Sequence, residues 1–349
     1  MRPLVGRSFG PAGAWPPADP VVAVLRPEGA IAFVRVGWGG ELGAVTGINA
    51  SGLFVAVNPT ATEDAGEGEV PVAILGRQLL ERAHSLDEAL AILKQTKPLG
   101  AATFLLVDGA GHWMVVERSP GAVAVARDKP RAAIGDFLAA SEFAKDADNQ
   151  RTRRARGGAA RLLRLGELLG AAVAEPTSVA AVLRDRRGPA GAPLPGWSPQ
   201  AVADLGAQHT VVVDPAEMIL WVGEGPGGAA GFRAFDLRAE LLGAAPRQLT
   251  ALPADPEMAP EGIPKIVEAL RELARADRLV RRGEGEPAAE AAWRALALAP
   301  DLALPHKLLG DIARAAGDGA RARAHYRRFL ELGPRDESAA DAVRAYQGL

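Results

Sequence analysis

The stretch from Gly37 to Pro59, GWGGELGAVTGINASGLFVAVNP, constrains the fold more than any other part of the chain. Five glycines, at 37, 39, 40, 43 and 47, precede a run from Gly52 to Asn58 that reads as a strand. Gly39, Gly40, Gly43 and Gly47 open positive φ to the backbone and let another segment or a ligand approach closely. Leu53 to Val57 is apolar and partly β-branched, which suits a strand buried on both faces. Asn49 and Asn58 bracket it with amides that both donate and accept hydrogen bonds. The same residues fit a glycine-rich turn feeding a core strand and fit a ligand site.

Antiparallel sheet surrounds this stretch. Val21–Leu25 and Ile31–Gly37 read as strands joined by the turn Arg26-Pro27-Glu28-Gly29. The acidic loop from Glu63 to Glu69 reads as solvated surface. A helix is expected from Pro71 to about Ala83, with proline in the first turn. Ser85-Leu86-Asp87-Glu88 is a capping box for a second helix to Gln95. Thr103–Asp108 and His112–Arg118 form a hairpin across Gly109-Ala110-Gly111, followed by a strand at Val123–Ala126. His112 stands at a strand start, where surface is the simpler reading than ligand or base. ARLLRLGELL is an amphipathic helix containing Arg161. Thr177 caps a short helix to Arg184, and Gln208–Val213 and Met218–Gly223 pair around Asp214-Pro215-Ala216-Glu217. Gly223 to Gly228 fits G-x-G-x-x-G, but Pro226 sits inside it and no helix follows, so a dinucleotide site is rejected.

Composition removes several function classes. The net charge of −2 gives no electrostatic case for nucleic acid or an acidic membrane. Aromatic residues at 5% argue against a base-stacking surface. No apolar run approaches 18 residues, so no membrane span is expected, and the first ten residues lack the apolar region of a signal peptide. The sequence as written reads as cytoplasmic; a start further upstream would allow an extracytoplasmic location. The cysteine count is zero, which excludes disulfides, thiolate metal sites and a cysteine nucleophile among these residues. No cofactor or metal is expected.

Gly47-Ile48-Asn49, then Gly52-Leu53 and a strand ending in Asn58, resembles the acyl-coenzyme A:6-aminopenicillanic acid acyltransferase family, a branch of the N-terminal nucleophile (Ntn) hydrolases. The resemblance continues through VPVAILGRQLLERAHSLDEALAIL, FLLVDGAGHWMVVERSP and HTVVVDPAEMILWVGEGP, and covers about two-thirds of the chain. It implies an α+β fold, an αββα sandwich of antiparallel sheets between helix layers, and cleavage or transfer at an amide bond. Family members attack with an N-terminal cysteine whose own α-amine takes the proton. They carry Gly-Arg-Asn-x-Asp shortly after it. Here that segment reads Gly6-Arg7-Ser8-Phe9-Gly10: Arg7 is kept, the aspartate is replaced by Gly10, and the nucleophile strand is not in the sequence. Where members show Thr-Asn-His-Phe, this chain has Ala140-Ser141-Glu142-Phe143; Ser141 can still donate one hydrogen bond to an oxyanion, whereas an ionised Glu142 cannot. The four arginines from Arg151 to Arg156 read as a solvated helix entry or as a contact for an anionic donor. The resemblance makes Arg7, Trp38, Asn49, Asn58, Ser141 and Arg161 the substrate-binding candidates, with no catalytic residue assigned. It implies a small amide or acyl donor as ligand and a polypeptide inactive as written. The alternative is a protein that binds a ligand or a partner.

The organisation expected is an Ntn-like domain over residues 1–243, a linker over 244–264 and helical repeats over 265–349. Five prolines hold Ala244–Pro264 extended, and it should lie exposed. Beyond it a period of 34 residues recurs: Pro300 as Pro334, Gly283 as Gly317, Ala288 as Ala322. Leu309-Gly310, Ala322, Tyr326, Phe329 and Pro334 match the small and large packing positions of a tetratricopeptide repeat. Such a unit presents a groove for a protein or peptide partner. A plain helical hairpin supporting the first domain fits the same residues.

Overall fold

A computed structural model of the chain describes residues 3–10, 20–60, 62, 64, 67–127, 158–171, 174–194, 198, 200–333 and 337–347. Two antiparallel sheets face each other. The larger has seven strands: β2 (Val21–Leu25), β3 (Phe33–Gly37), β4 (Thr46–Asn49), β5 (Phe54–Thr60), β8 (Ala101–Val107), β9 (Trp113–Arg118) and β10 (Val123–Arg127), in the order β10-β9-β8-β5-β4-β3-β2. The smaller has the order β1-β11-β12-β13, from Val5–Phe9, His209–Asp214, Ile219–Glu224 and Gly231–Asp236. Two residue pairs, β6 (Val70–Pro71) and β7 (Pro98–Leu99), make a separate parallel bridge.

Period-two alternation builds the layers. Phe54 and Ala56 of β5 face the small sheet and pack with Val5, Val211, Val213 and Leu220. Val55 and Val57 face the other way, onto α1 (Val72–Arg82) and α2 (Leu86–Gln95). Outside the small sheet, Val212 meets Ala180 and Leu183 of the helix at Pro176–Leu183. The result is the helix–sheet–sheet–helix sandwich that the sequence suggests.

Local chemistry explains the elements, with some corrections. Ser85, the N-cap, accepts from the Glu88 amide, and the Glu88 carboxylate accepts from the amide of His84, one residue before the position used in a regular capping box. β5 runs on through Pro59 to Thr60, beyond the expected end at Asn58. After Val57, whose amide still donates to the Val45 carbonyl at 2.8 Å, it pairs only with β8, so the amide that Pro59 lacks is not needed on the β4 side. Of Gly39, Gly40, Gly43 and Gly47, only Gly40 takes positive φ, at 83°. At Gly47 the demand is close approach: an added Cβ would lie 2.6 Å from Leu80 of α1 and 2.7 Å from the Val34 carbonyl.

The stretch Ala244–Pro264 differs from the expectation of a free linker. Most of it is exposed, but Leu252 is buried and exchanges backbone hydrogen bonds with Phe232 of β13, at 2.9 and 3.0 Å. It is a strap closing the open edge of the small sheet. Trp221 donates to the Thr250 carbonyl, Arg184 to the Pro253 carbonyl, Arg247 pairs with Asp236 at 2.7 Å, and Arg186 with Asp255 at 2.7 Å. One buried leucine between prolines has no period, so sequence patterning does not show it.

Beyond the strap, helices Gly262–Arg281, Gly285–Leu298, Ala303–Ala315 and Gly319–Glu331 form two hairpins, followed by Glu337–Gln347. Their helices approach on small residues: Ala288, Ala291, Ala292, Ala295 and Ala322 are fully buried. Tyr326 lies so close to Gly310 that an added Cβ would sit 2.4 Å from its ring.

Candidate functional site

β1 crosses the inner face of the large sheet, and its alternation turns Val5, Arg7 and Phe9 inward. Arg7 therefore enters the space between the sheets at the point where β4 and β5 diverge. Its Nε donates to Thr46 Oγ1 at 3.1 Å, one terminal nitrogen donates to Asn58 Oδ1, and the other donates to the carbonyls of Val57 (2.8 Å) and Val45 (3.4 Å). Every one of these acceptors is uncharged. Burial lowers the guanidinium pKa to about 9, so Arg7 is still a cation at neutral pH. It is a fixed positive charge held by dipoles rather than by an acid.

Thr46 carries the network to the small sheet. Its Oγ1 lies 2.7 Å from His209 Nε2. The two side chains share one hydrogen bond whose direction depends on the imidazole tautomer, since a hydroxyl oxygen with two lone pairs can accept from His209 as well as from Arg7. Nδ1 is buried and finds no hydrogen-bond partner among the described residues. Burial, and then the charge of Arg7, depress the His209 pKa to about 3, so the ring is neutral. Phe9 stacks on His209 at 5.4 Å and on Trp38 at 6.3 Å, and the Arg7 guanidinium lies 4.8 Å from the Phe9 ring centre. The site is thus a polar knot of Arg7, Thr46, Asn58 and His209 with an aromatic flank of Phe9 and Trp38.

Three of the sequence candidates, Arg7, Asn58 and Trp38, come together here. Asn49 does not. Thr46 and Ile48 face the small sheet, whereas Asn49 faces α1, where its amide nitrogen donates to the Leu80 and Ala83 carbonyls and its oxygen accepts from the Ser51 and Leu53 amides. It ties the end of α1 to the β4–β5 turn. Arg161 belongs to the helix Gly158–Ala171, in the layer outside the small sheet. Ser141, Glu142 and the arginines from 151 to 156 lie outside the described residues. Sequence reasoning missed Thr46 and His209. The available signal was parity: His209 shares an alternation with Val211 and Val213, so a ring enters an otherwise apolar inner face.

Gly10 shows why its side chain is missing. A Cβ there would stand 2.3 Å from Asp204 Oδ2, so a carboxylate from another element fills that space. Among the described residues no three His, Asp or Glu side chains converge as a metal site, and no helix is long and apolar enough to cross a membrane.

The penicillin V acylase structure from Agrobacterium tumefaciens aligns with a TM-score of 0.41 and 14% identity over 67% of this chain and 81% of that one. The Caenorhabditis elegans ortholog of N-acylethanolamine-hydrolyzing acid amidase aligns with a TM-score of 0.44 and 15% identity over 62% and 88%. A variant of conjugated bile acid hydrolase from Clostridium perfringens gives a TM-score of 0.38 and 14% identity over 73% and 91%. No curated protein matches the sequence significantly. The family profile of acyl-coenzyme A:6-aminopenicillanic acid acyl-transferase matches residues 21–225, more than half of the chain and every strand of the two sheets except β1 and β13. By that match the chain belongs to the acyl-coenzyme A:6-aminopenicillanic acid acyl-transferase family of Ntn-type amide hydrolases and acyltransferases.

Proposed function

We propose that this polypeptide keeps the ligand pocket of an amide hydrolase or acyltransferase and binds an acyl amide there without turning it over. The observation that carries the reading is the intact Arg7 network in a sequence with no cysteine. Arg7 offers a fixed positive charge to a carbonyl or carboxylate oxygen, and Phe9 with Trp38 offers an apolar wall to the acyl group. Thr46 does not replace the missing thiol. Its hydroxyl is buried, and a histidine held near pKa 3 is far too weak a base to remove its proton at neutral pH.

A second reading rests on the C-terminal helices. We take residues 1–243 as the pocket-bearing domain, 244–264 as its strap and linker, and 265–349 as a tetratricopeptide-like unit. The close alanine and glycine contacts of its two hairpins support that reading, and such a unit offers a groove to a protein or peptide partner.

The test incubates the full chain with penicillin V, an N-acylethanolamine and a conjugated bile acid, and measures both product release and calorimetric binding. Binding without turnover, weakened at least about tenfold by Arg7→Met, is expected. Turnover above buffer that Arg7→Ala abolishes would overturn the claim of inactivity. Turnover-free protein that binds none of the three would overturn the pocket.

A further inference from the structure

We propose that the imidazoles of His306 and His325 together form a binding site for one divalent transition-metal ion of the zinc, nickel and copper group. His306 lies in the first turns of the helix Ala303–Ala315, and His325 in the middle of its hairpin partner, Gly319–Glu331. The antiparallel hairpin brings the two Nδ1 atoms to 3.2 Å, with ring centres 5.5 Å apart and ring planes tilted by 34°. A tetrahedral ion with metal–nitrogen bonds of about 2.0–2.1 Å separates two ligand nitrogens by about 3.3 Å. The pair therefore already stands at the spacing one ion requires.

A neutral imidazole can turn its Nδ1 lone pair to the ion and carry its proton on Nε2, so each ring can serve as a ligand in that tautomer. The ion replaces the single N–H···N hydrogen bond that joins the rings. Both side chains are half-buried, so water reaches the remaining coordination positions. Arg328 is paired with Glu331 at 3.3 Å and Arg321 is exposed, so their repulsion of a dication is screened. No carboxylate joins the pair among the described residues, and two nitrogens without oxygen ligands favour zinc, nickel or copper over calcium or magnesium. Trp293 meets the His325 ring edge-on at 5.5 Å and is 45% exposed, which walls one side and supplies a reporter.

The experiment uses the full chain after chelator treatment, titrated with Zn2+ by calorimetry and with Ni2+ by tryptophan quenching at pH 7.5. His306→Gln and His325→Gln keep a hydrogen-bonding amide while removing a ligand; circular dichroism and the urea midpoint of the metal-free variants show whether they fold. One saturable site is expected, at least about tenfold weaker in each single variant and lost in the double variant. Excess Mg2+ should not compete, and Trp293→Phe should reduce the Ni2+ quench while leaving Zn2+ affinity unchanged. The pair is merely hydrogen-bonded, and the proposal fails, if no saturable site appears. It fails equally if the folded double variant binds Zn2+ as tightly as the parent, which would place the metal at the exposed His84 or His112.

Discussion

Thr46→Val tests whether one hydroxyl joins the two sheets. Valine is nearly isosteric, so no cavity opens. What is lost is the acceptor for Arg7 Nε at 3.1 Å and the partner of His209 Nε2 at 2.7 Å. A hydrogen bond to a charged group contributes about 1.5–3 kcal/mol and a neutral one about 0.5–1.5 kcal/mol. Both partners are buried and cannot turn to water, so the loss should be about 2–4 kcal/mol. Thr46→Ser keeps the hydroxyl and removes one buried methyl, costing about 1 kcal/mol. The double variant with His209→Phe should be at least about 0.5 kcal/mol more stable than the sum of the singles, because phenylalanine leaves no imidazole to strand. Native-state hydrogen exchange of the β4 and β5 amides across a urea series reads the sandwich separately from the helical hairpins. A Thr46→Val protein within about 0.5 kcal/mol of the parent, or a serine variant worse than the valine one, would refute the reasoning.

Two more expectations follow from the geometry. His209 stays neutral down to about pH 3 when folded, while its unfolded form takes up a proton near 6.5. Between those values the unfolded chain binds more protons, so stability should fall as pH drops from 6.5 towards 3, by at most about 1.4 kcal/mol per pH unit from this group. His306, with a pKa of about 4, adds in the same direction, so the check is the difference in urea midpoint between parent and His209→Phe from pH 3.5 to 7; parallel curves would sink the assignment. Limited proteolysis should cut first at Met258–Glu261, just past the ion pairs of Glu257 with Arg186 (3.7 Å) and Arg187 (3.5 Å), and Arg247→Ala should bring new cuts into 244–251; mass spectrometry showing first cuts at Gly47–Asn58 would refute the boundary.

Several parts of this fold are legible from local pattern. The strand after Gly52, the capping box at Ser85 and the small residues of the C-terminal helices each express a rule that acts within a few residues. The order of the glycine and asparagine motifs leads to the family. The heart of the site is not local. Thr46 and His209 are separated by 163 positions and stand on different sheets, so the face-to-face packing of the two sheets is what brings them together. Asn49 illustrates the converse: an amide beside a strand reads equally as a ligand or a turn, and only the face of β4 it occupies decides. Gly10 reads as a loss in one dimension and as space for Asp204 in three.

The pairing of β1 has a consequence for synthesis. Among the described residues β1 is an edge strand whose one partner is β11, with Val5 opposite Val213. Roughly 200 residues must leave the ribosome after β1 before it can pair, which takes about 10–40 s at ordinary elongation rates. Strands β2 to β10 of the large sheet, with α1 and α2, can assemble in that interval because their partners are emerging in order. Of the two partners, the arginine segment is made first and must wait for β11 before it is seated. Gly6 and Arg7 keep the waiting strand from being a strong template for stray pairing. The polar knot is complete only when β11 brings His209 to Thr46.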